Sequence, residues 1–164
     1  MPSITALVHT ENDALRLGRC LETLYPCDNI LVVDHGSRDA TVQVAREYGA
    51  RVVAAEPGAA PDHYLRFVGQ GWILCLDPRE SLTENLAASL FEWKSEWKST
   101  PGDAPGNSAF SVSLREETTH GWIGVPAAQT RLVPQTWNRW VHGFPLDVPS
   151  AISLEGELLR FAFP

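Results

Sequence analysis

The sequence predicts an α/β fold, a mainly parallel sheet flanked by helices and followed by an irregular C-terminal part. Three observations carry that prediction. Strand-like and helix-like segments alternate through the first two-thirds of the chain. The strands are short and nearly all apolar, as strands covered on both faces must be. Two of them end in a carboxylate, Asp34 and Asp77, at the edge where open α/β sheets bind their ligands.

The elements follow in order. Ile4 to Val8 is a short apolar strand. Asn12 or Asp13 can then cap a helix whose Ala14, Leu17, Leu21 and Leu24 share one face. Asn29 to Asp34 (NILVVD) is the second strand. Ser37 or Asp39 opens the next helix, which buries Ala40, Val44, Ala45 and Tyr48 and stops at Gly49. Arg51 to Ala54 is the third strand, and this succession implies right-handed crossovers. Pro57, Gly58 and Pro61 break the pattern between Glu56 and Gln70, so a loop or short helix is expected there. Gly71 opens the strand that ends at Asp77. Ser81-x-x-Glu84 reads as a capping box for a helix with the apolar stripe Leu86, Leu90, Trp93 and Trp97, its tryptophans expected in the core. Ser99 to Ser108 has the composition of an exposed linker. Phe110, Val112 and Leu114 alternate with polar residues, as in a half-buried strand. Glu116 to Pro164 is rich in Trp, Pro and Gly without clear periodicity.

With 164 residues and 44% hydrophobic content, the chain is expected to form a single domain, 1–164, around one core. A formal net charge of -7 argues against nucleic acid as a partner, because a phosphate backbone selects clustered lysine and arginine. No run of about 18 apolar residues and no basic-then-apolar leader is present, so a soluble, cytoplasmic chain without a transmembrane segment is expected. Cys20, Cys27 and Cys75 are odd in number and lack metal-ligand spacing, which predicts reduced thiols. The turn after Val8, His9-Thr10-Glu11-Asn12-Asp13, contains no glycine. Neither a Gly-x-Gly-x-x-Gly pyrophosphate turn nor a Walker loop is therefore present.

The stretch from Ile4 to Val53 resembles the N-terminal half of family 2 glycosyltransferases of the GT-A fold, a Rossmann-like architecture. It is most similar to the bacterial branch that builds lipopolysaccharide core and cell-envelope glycans. Thr10-Glu11-Asn12-Asp13 matches a Thr-x-Asn-Glu turn. Leu31-Val32-Val33-Asp34-His35-Gly36-Ser37-Arg38-Asp39 matches the family's Ile-Val-Val-Asp-Ser-Gly-Ser-x-Asp segment. GWILCLDPRE resembles its Asp-x-Asp strand. GWIGVPAAQTRLV and Val141-His142-Gly143 resemble a Gln-x-Arg-Leu stretch and a Val-His-Glu triplet.

The resemblance implies a nucleotide-binding half over 1–98, a linker over 99–108 and an acceptor-side half over 109–164. It implies that Thr10, Glu11 and Asn12 frame a nucleotide base, usually uracil, that Asp34 hydrogen-bonds it, and that Ser37 with Asp39 shapes the adjoining helix start. Asp77 would approach ribose and diphosphate. Gln129, Arg131 and His142 fall on the acceptor side, facing a glycan, a lipid-linked acceptor or a protein partner.

The departures matter as much. The second carboxylate of the Asp-x-Asp motif is Arg79, which cannot coordinate a cation, so manganese or magnesium is expected to bind weakly or not at all. Arg79 can instead pair bidentately with a diphosphate, or bridge to Glu80 or Glu84. The acids expected near Gln-x-Arg-Leu and in Val-His-Glu are Ala127 and Gly143. No general base is assigned; Glu116, Glu117 and Asp147 remain as substitutes, and His120 and His142 read as structural or as acceptor-site ligands. The expectation is a nucleotide-sugar binding protein of uridine diphosphate type with reduced or no transfer. The alternative is an inactive binding module that keeps the fold.

Overall fold

A computed structural model describes residues 1–97 and 108–164. The expected linker lies outside the described residues apart from Ser108. The first four strands are β1 (Ile4–Thr10), β2 (Asn29–Asp34), β3 (Arg51–Ala54) and β4 (Trp72–Leu76). They stand side by side and parallel in the order β3-β2-β1-β4. Their apolar runs are what a sheet covered on both faces requires.

Beyond β4 the sheet becomes mixed. It continues through β5 (Glu80–Leu82), β6 (Phe110–Thr118), β7 (Gly121–Gly124), β8 (Gln129–Pro134) and β11 (Ile152–Arg160). Among the described residues nine strands form this sheet, in the order β3-β2-β1-β4-β8-β6-β11-β5 with β7 paired to β6. β8 is antiparallel to β4 and β6, and β11 lies parallel to β6 and antiparallel to β5. The C-terminal part, without periodicity in the sequence, thus supplies three of these nine strands, β7, β8 and β11. It also carries a small hairpin, β9 (Trp140–Val141) and β10 (Phe144–Pro145).

The helices are α1 (Leu17–Leu21), α2 (Thr41–Glu47) and α3 (Glu84–Glu96), with a 3₁₀ segment at Pro61–Phe67. Because side chains alternate across a strand, β1 feeds two cores. Ile4, Ala6 and Val8 join Leu17, Leu86, Leu90 and Trp93 on one face. Leu7 joins Val33, Ile73, Tyr64 and Trp137 on the other. Trp72, Trp93, Trp97 and Phe110 form an edge-to-face aromatic cluster, so the tryptophans of α3 pack inward as expected.

Three local expectations are corrected. The helix after β1 starts only at Leu17, after a turn in which the Asp13 carbonyl accepts from the amides of Arg16 and Leu17. Along α2, Ala40 and Tyr48 are exposed while Thr41 and Ala45 are buried. The N-cap of α3 is Thr83, whose Oγ1 accepts from Leu86 N at 3.2 Å, because Ser81 belongs to β5. Cys20, Cys27 and Cys75 are free thiols. Among the described residues no helix is long and apolar enough to cross a membrane.

Candidate functional site

Register decides whether the two aspartates share an edge. Thr10 at the end of β1 pairs with Asp34 at the end of β2. Val8 pairs with Leu76, which sets Asp77 level with His9 just past β4. Asp34 and Asp77 therefore flank β1 at one edge, two strand spacings or about 10 Å apart.

The loops after β1 and β2 are interlocked. Asn12, held at a left-handed φ of 54°, donates from its amide to Ser37 Oγ at 2.9 Å, and its Oδ1 accepts from Arg38 N at 2.8 Å. Asp13 N donates to Thr41 Oγ1 at 2.8 Å and Ala14 N to Asp39 Oδ2 at 3.2 Å. Asp13 Oδ2 accepts from Thr10 Oγ1 and from Glu11 N. Asp39 also accepts from the Thr41 amide and hydroxyl at the start of α2. The Thr41 hydroxyl bond is the main cause that holds the Asp39 carboxyl below the usual range. Both oxygens of Asp34 are taken by Ser37, Oδ1 from its hydroxyl at 2.5 Å and Oδ2 from its amide at 3.1 Å. Thr10, Asn12, Asp34 and Ser37 are thus brought together, though as mutual braces.

On the other side of β1, Arg79 turns back onto Asp77. Its Nε donates to Oδ1 at 2.9 Å, its Nη2 to Oδ2 at 3.1 Å, and its amide to Oδ1 at 2.9 Å. Burial pushes the Asp77 carboxyl up, but the hydrogen bonds from Arg79 outweigh it and hold Asp77 below the usual carboxylate range. Arg79 forms this pair rather than the bridge to Glu80 or Glu84 that is one of its two readings from the sequence. Both Asp77 oxygens face this guanidinium, and no three metal-binding side chains converge among the described residues. This donor set does not fit a divalent cation.

Glu80 was not singled out by sequence reasoning, yet it organises the region. Fully buried, it takes both Arg131 Nη1 at 2.6 Å and Nη2 at 2.9 Å, and Arg160 Nη2 at 2.9 Å. Its Oε1 also accepts from Asp77 N at 2.8 Å. Arg131, 2% exposed, spends its remaining donors on Cys75 O and Gln129 Oε1. Arg131 is thus turned inward onto Glu80 and Gln129 Oε1 onto Arg131, while both also line a cavity of about 320 Å³ with Asp147 and Arg160. An arginine in a Gln-x-Arg-Leu strand facing a buried glutamate could have been suspected only from Glu80 itself, one residue from Arg79 in a run that looked solvated.

The substitute bases are also engaged: Glu116 with Arg160 at 2.5 Å, Glu117 with Phe163 N, Asp147 with Thr130 N. His120 sits in the exposed β6–β7 turn. His142 lies at the tip of the β9–β10 hairpin with φ 50°. There it joins His9, His35, Glu56 and Tyr64 around a cavity of about 580 Å³ at the ends of β1, β2 and β3. A larger cavity, about 680 Å³, opens at the opposite edge around Tyr25, Tyr48 and Arg51. The smaller one lies beyond the carboxyl ends of the strands, where open α/β sheets bind their ligands; Asp34, Asp77 and Arg79 stand at the same sheet edge but do not line it.

No protein-family model matches the chain. A Rickettsia felis protein named as an uncharacterized glycosyltransferase is 32% identical over 97 residues, covering 52% of this chain and 32% of that protein. A TPR repeat-containing protein of Synechococcus elongatus is 33% identical over 128 residues, 75% of this chain and 30% of its own length. The chain thus spans about a third of the length of the curated relatives it matches. The crystal structure of S. aureus TarS superposes with a TM-score of 0.52 at 19% identity, covering 81% of this chain and 28% of that one. Together with the parallel β3-β2-β1-β4 arrangement and its carboxylate-bearing edge, these likenesses give the chain a glycosyltransferase fold of the GT-A, family 2-like kind.

Proposed function

We propose that the chain binds a nucleotide-sugar of the uridine diphosphate type along the β1–β2–β4 edge, with little or no glycosyl transfer of its own. The single observation behind this is the Asp77–Arg79 pair, in which an internal guanidinium stands beside the aspartate of the Asp-x-Asp-like strand. Arg79 gives Nε and one Nη2 hydrogen to Asp77, and its Nη1 and second Nη2 hydrogens are left as charged donors for a diphosphate. The braced loops Thr10–Asp13 and Asp34–Asp39 shape the nucleotide end of the same edge.

Low transfer follows from the acceptor side. Inverting transfer needs a free carboxylate or other base within hydrogen-bonding reach of the attacking hydroxyl. Ala127 and Gly143 offer none, and Glu116, Glu117 and Asp147 are engaged elsewhere. The natural partner is a glycan, a lipid-linked acceptor or a protein of the cell-envelope pathway that the resemblance indicates.

Calorimetric titration with uridine diphosphate and its sugars tests the reading. The expected result is binding with the same dissociation constant in manganese and in a chelator. Absence of binding, or affinity that appears only with manganese, would overturn it.

A further inference from the structure

We propose that the imidazole pair His9–His35, rather than Asp34, contacts the nucleobase and makes base selection depend on protonation. The proposal rests on the nucleotide-sugar reading above and names the residues that act within that site. Asp34 has both oxygens committed to Ser37 and does not line the cavity, whereas His9 and His35 both do.

His9 Nδ1 and His35 Nε2 lie 2.9 Å apart. With both rings neutral, one nitrogen must donate and the other accept, since each neutral imidazole carries one N–H. The two outer nitrogens, His9 Nε2 and His35 Nδ1, are then of opposite kind. They exchange roles when both rings change tautomer, the outer proton moving through solvent as the shared one crosses. His9 Nε2 is enclosed beneath the hairpin tip, 3.8 Å from where a side chain at Gly143 would begin, and has no hydrogen-bond partner among the described residues. A buried nitrogen left without a partner is unusual and marks a place for a ligand atom. The Tyr64 ring, edge-on at 5.5 Å, fixes the His9 plane.

The ionisable groups around His9 are His35 from the β2 end, Tyr64 from the 3₁₀ segment, His142 from the hairpin and Glu56 from the loop after β3. The Glu56 carboxylate is held by His63 at 3.2 Å and Arg66 at 3.3 Å, and the Tyr64 hydroxyl accepts from Glu56 N. Burial, with His35 second, keeps His9 neutral down to about 4, so a proton that enters the pair above that leaves His9 neutral. With the extra proton on the partner ring, His35 Nε2 donates to His9 Nδ1, which forces His9 Nε2 to carry a hydrogen. One proton on the surface ring converts the enclosed nitrogen from an acceptor-or-donor into a donor only. A uracil imide N–H then loses its acceptor, while the bare N3 of cytosine keeps a donor.

The test is calorimetric titration of the full chain with uridine diphosphate and with cytidine diphosphate between about pH 8 and about pH 5. The ratio of the two affinities cancels phosphate titration. The expected result is a uridine preference that falls by about tenfold on acidification, one hydrogen bond's worth. In His35→Ala, and in His9→Gln as a second variant, the ratio should no longer change with pH. If both nucleotides bind with a ratio insensitive to pH, or if the preference survives His35→Ala and is lost in Asp34→Asn, the histidine pair is excluded and the nucleotide reading stands. If neither nucleotide binds at any pH, the nucleotide reading itself fails and this proposal with it.

Discussion

Glu80 shows how a single buried charge is tolerated: two guanidinium groups, from Arg131 and Arg160, meet its two oxygens. Removing one partner of a buried pair leaves an uncompensated charge in low dielectric, which typically costs about 3 to 5 kcal/mol. Arg131→Met should lower the unfolding free energy by about 3 kcal/mol in a urea titration, and a loss below about 1 kcal/mol would mean that Arg160 alone satisfies Glu80. Arg79 makes the opposite case, because it is exposed and, among the described residues, its guanidinium pairs with the site aspartate alone. Arg79→Ala should weaken uridine diphosphate binding by roughly 10- to 100-fold with little change in stability, as expected for a lost charge-assisted pair. An unchanged dissociation constant would remove Arg79 from the site. His9 links the site to pH. Its folded value of about 4 lies below the ordinary 6.5, so the unfolded chain binds a proton that the folded chain refuses. Stability is intact above 6.5 and is lost as pH falls toward 4, by about 3 kcal/mol over that window. His9→Gln should flatten this part of the stability profile, and an equally steep profile in the variant would assign the acid sensitivity to other groups.

At the level of elements, β1 to β4 were legible because each is a continuous apolar run, and a parallel strand buried on both faces has no other way to read. β2 and β3 occupy the expected residues, Asn29–Asp34 and Arg51–Ala54. β8 and β11 were not legible, for two different reasons. β8 buries Thr130 and Arg131, polar residues whose partners lie on other strands and are unknown until the sheet is assembled. β11 carries an irregularity between Ser153 and Glu157, and Gly156 falls there between Leu154 and Leu158, interrupting the apolar period of two. Likewise, Asp34 ends β2 as its sequence suggested, but its bond to Ser37 and the Arg79–Asp77 pairing are side-chain choices that no spacing reveals. The irregularity in β11 depends on Gly156. It has a φ of 92°, and a Cβ there would press on the backbone of Leu86, 2.6 Å from its Cα. Neither atom is a flexible side-chain end. Gly156→Ala should cost roughly 3 kcal/mol, combining left-handed strain with overpacking. Thr83→Ala, which removes the α3 cap and the bond from Thr83 Oγ1 to Glu157 O, should cost about 1 to 2 kcal/mol by the same measurement.

Across the whole molecule, β11 connects the two ends of the chain to the candidate site. It pairs Leu158, Leu159 and Arg160 with Leu82, Ser81 and Glu80, sends Arg160 to Glu80, and just beyond it Phe161 N donates to the Arg79 carbonyl at 2.9 Å. Glu80 in turn accepts from the Asp77 amide. The turn that carries Asp77 and Arg79 is therefore held from below by residues some eighty positions later, and the nucleotide edge is only as ordered as that last strand. Sheets closed by such distant pairing lose cooperativity when the closing strand is missing, because β5 and one side of β6 are left with open hydrogen-bonding groups. A chain ending before residue 152 should show no cooperative urea transition and no uridine diphosphate binding. The milder Arg160→Met keeps the strand and removes only its link to Glu80, so it should leave the transition cooperative while weakening binding, since Glu80 is then a poorer anchor for Asp77. If the shortened chain instead unfolds cooperatively and binds with unchanged affinity, β1 to β4 position the Asp77–Arg79 turn unaided, and the dependence of the site on β11 is wrong.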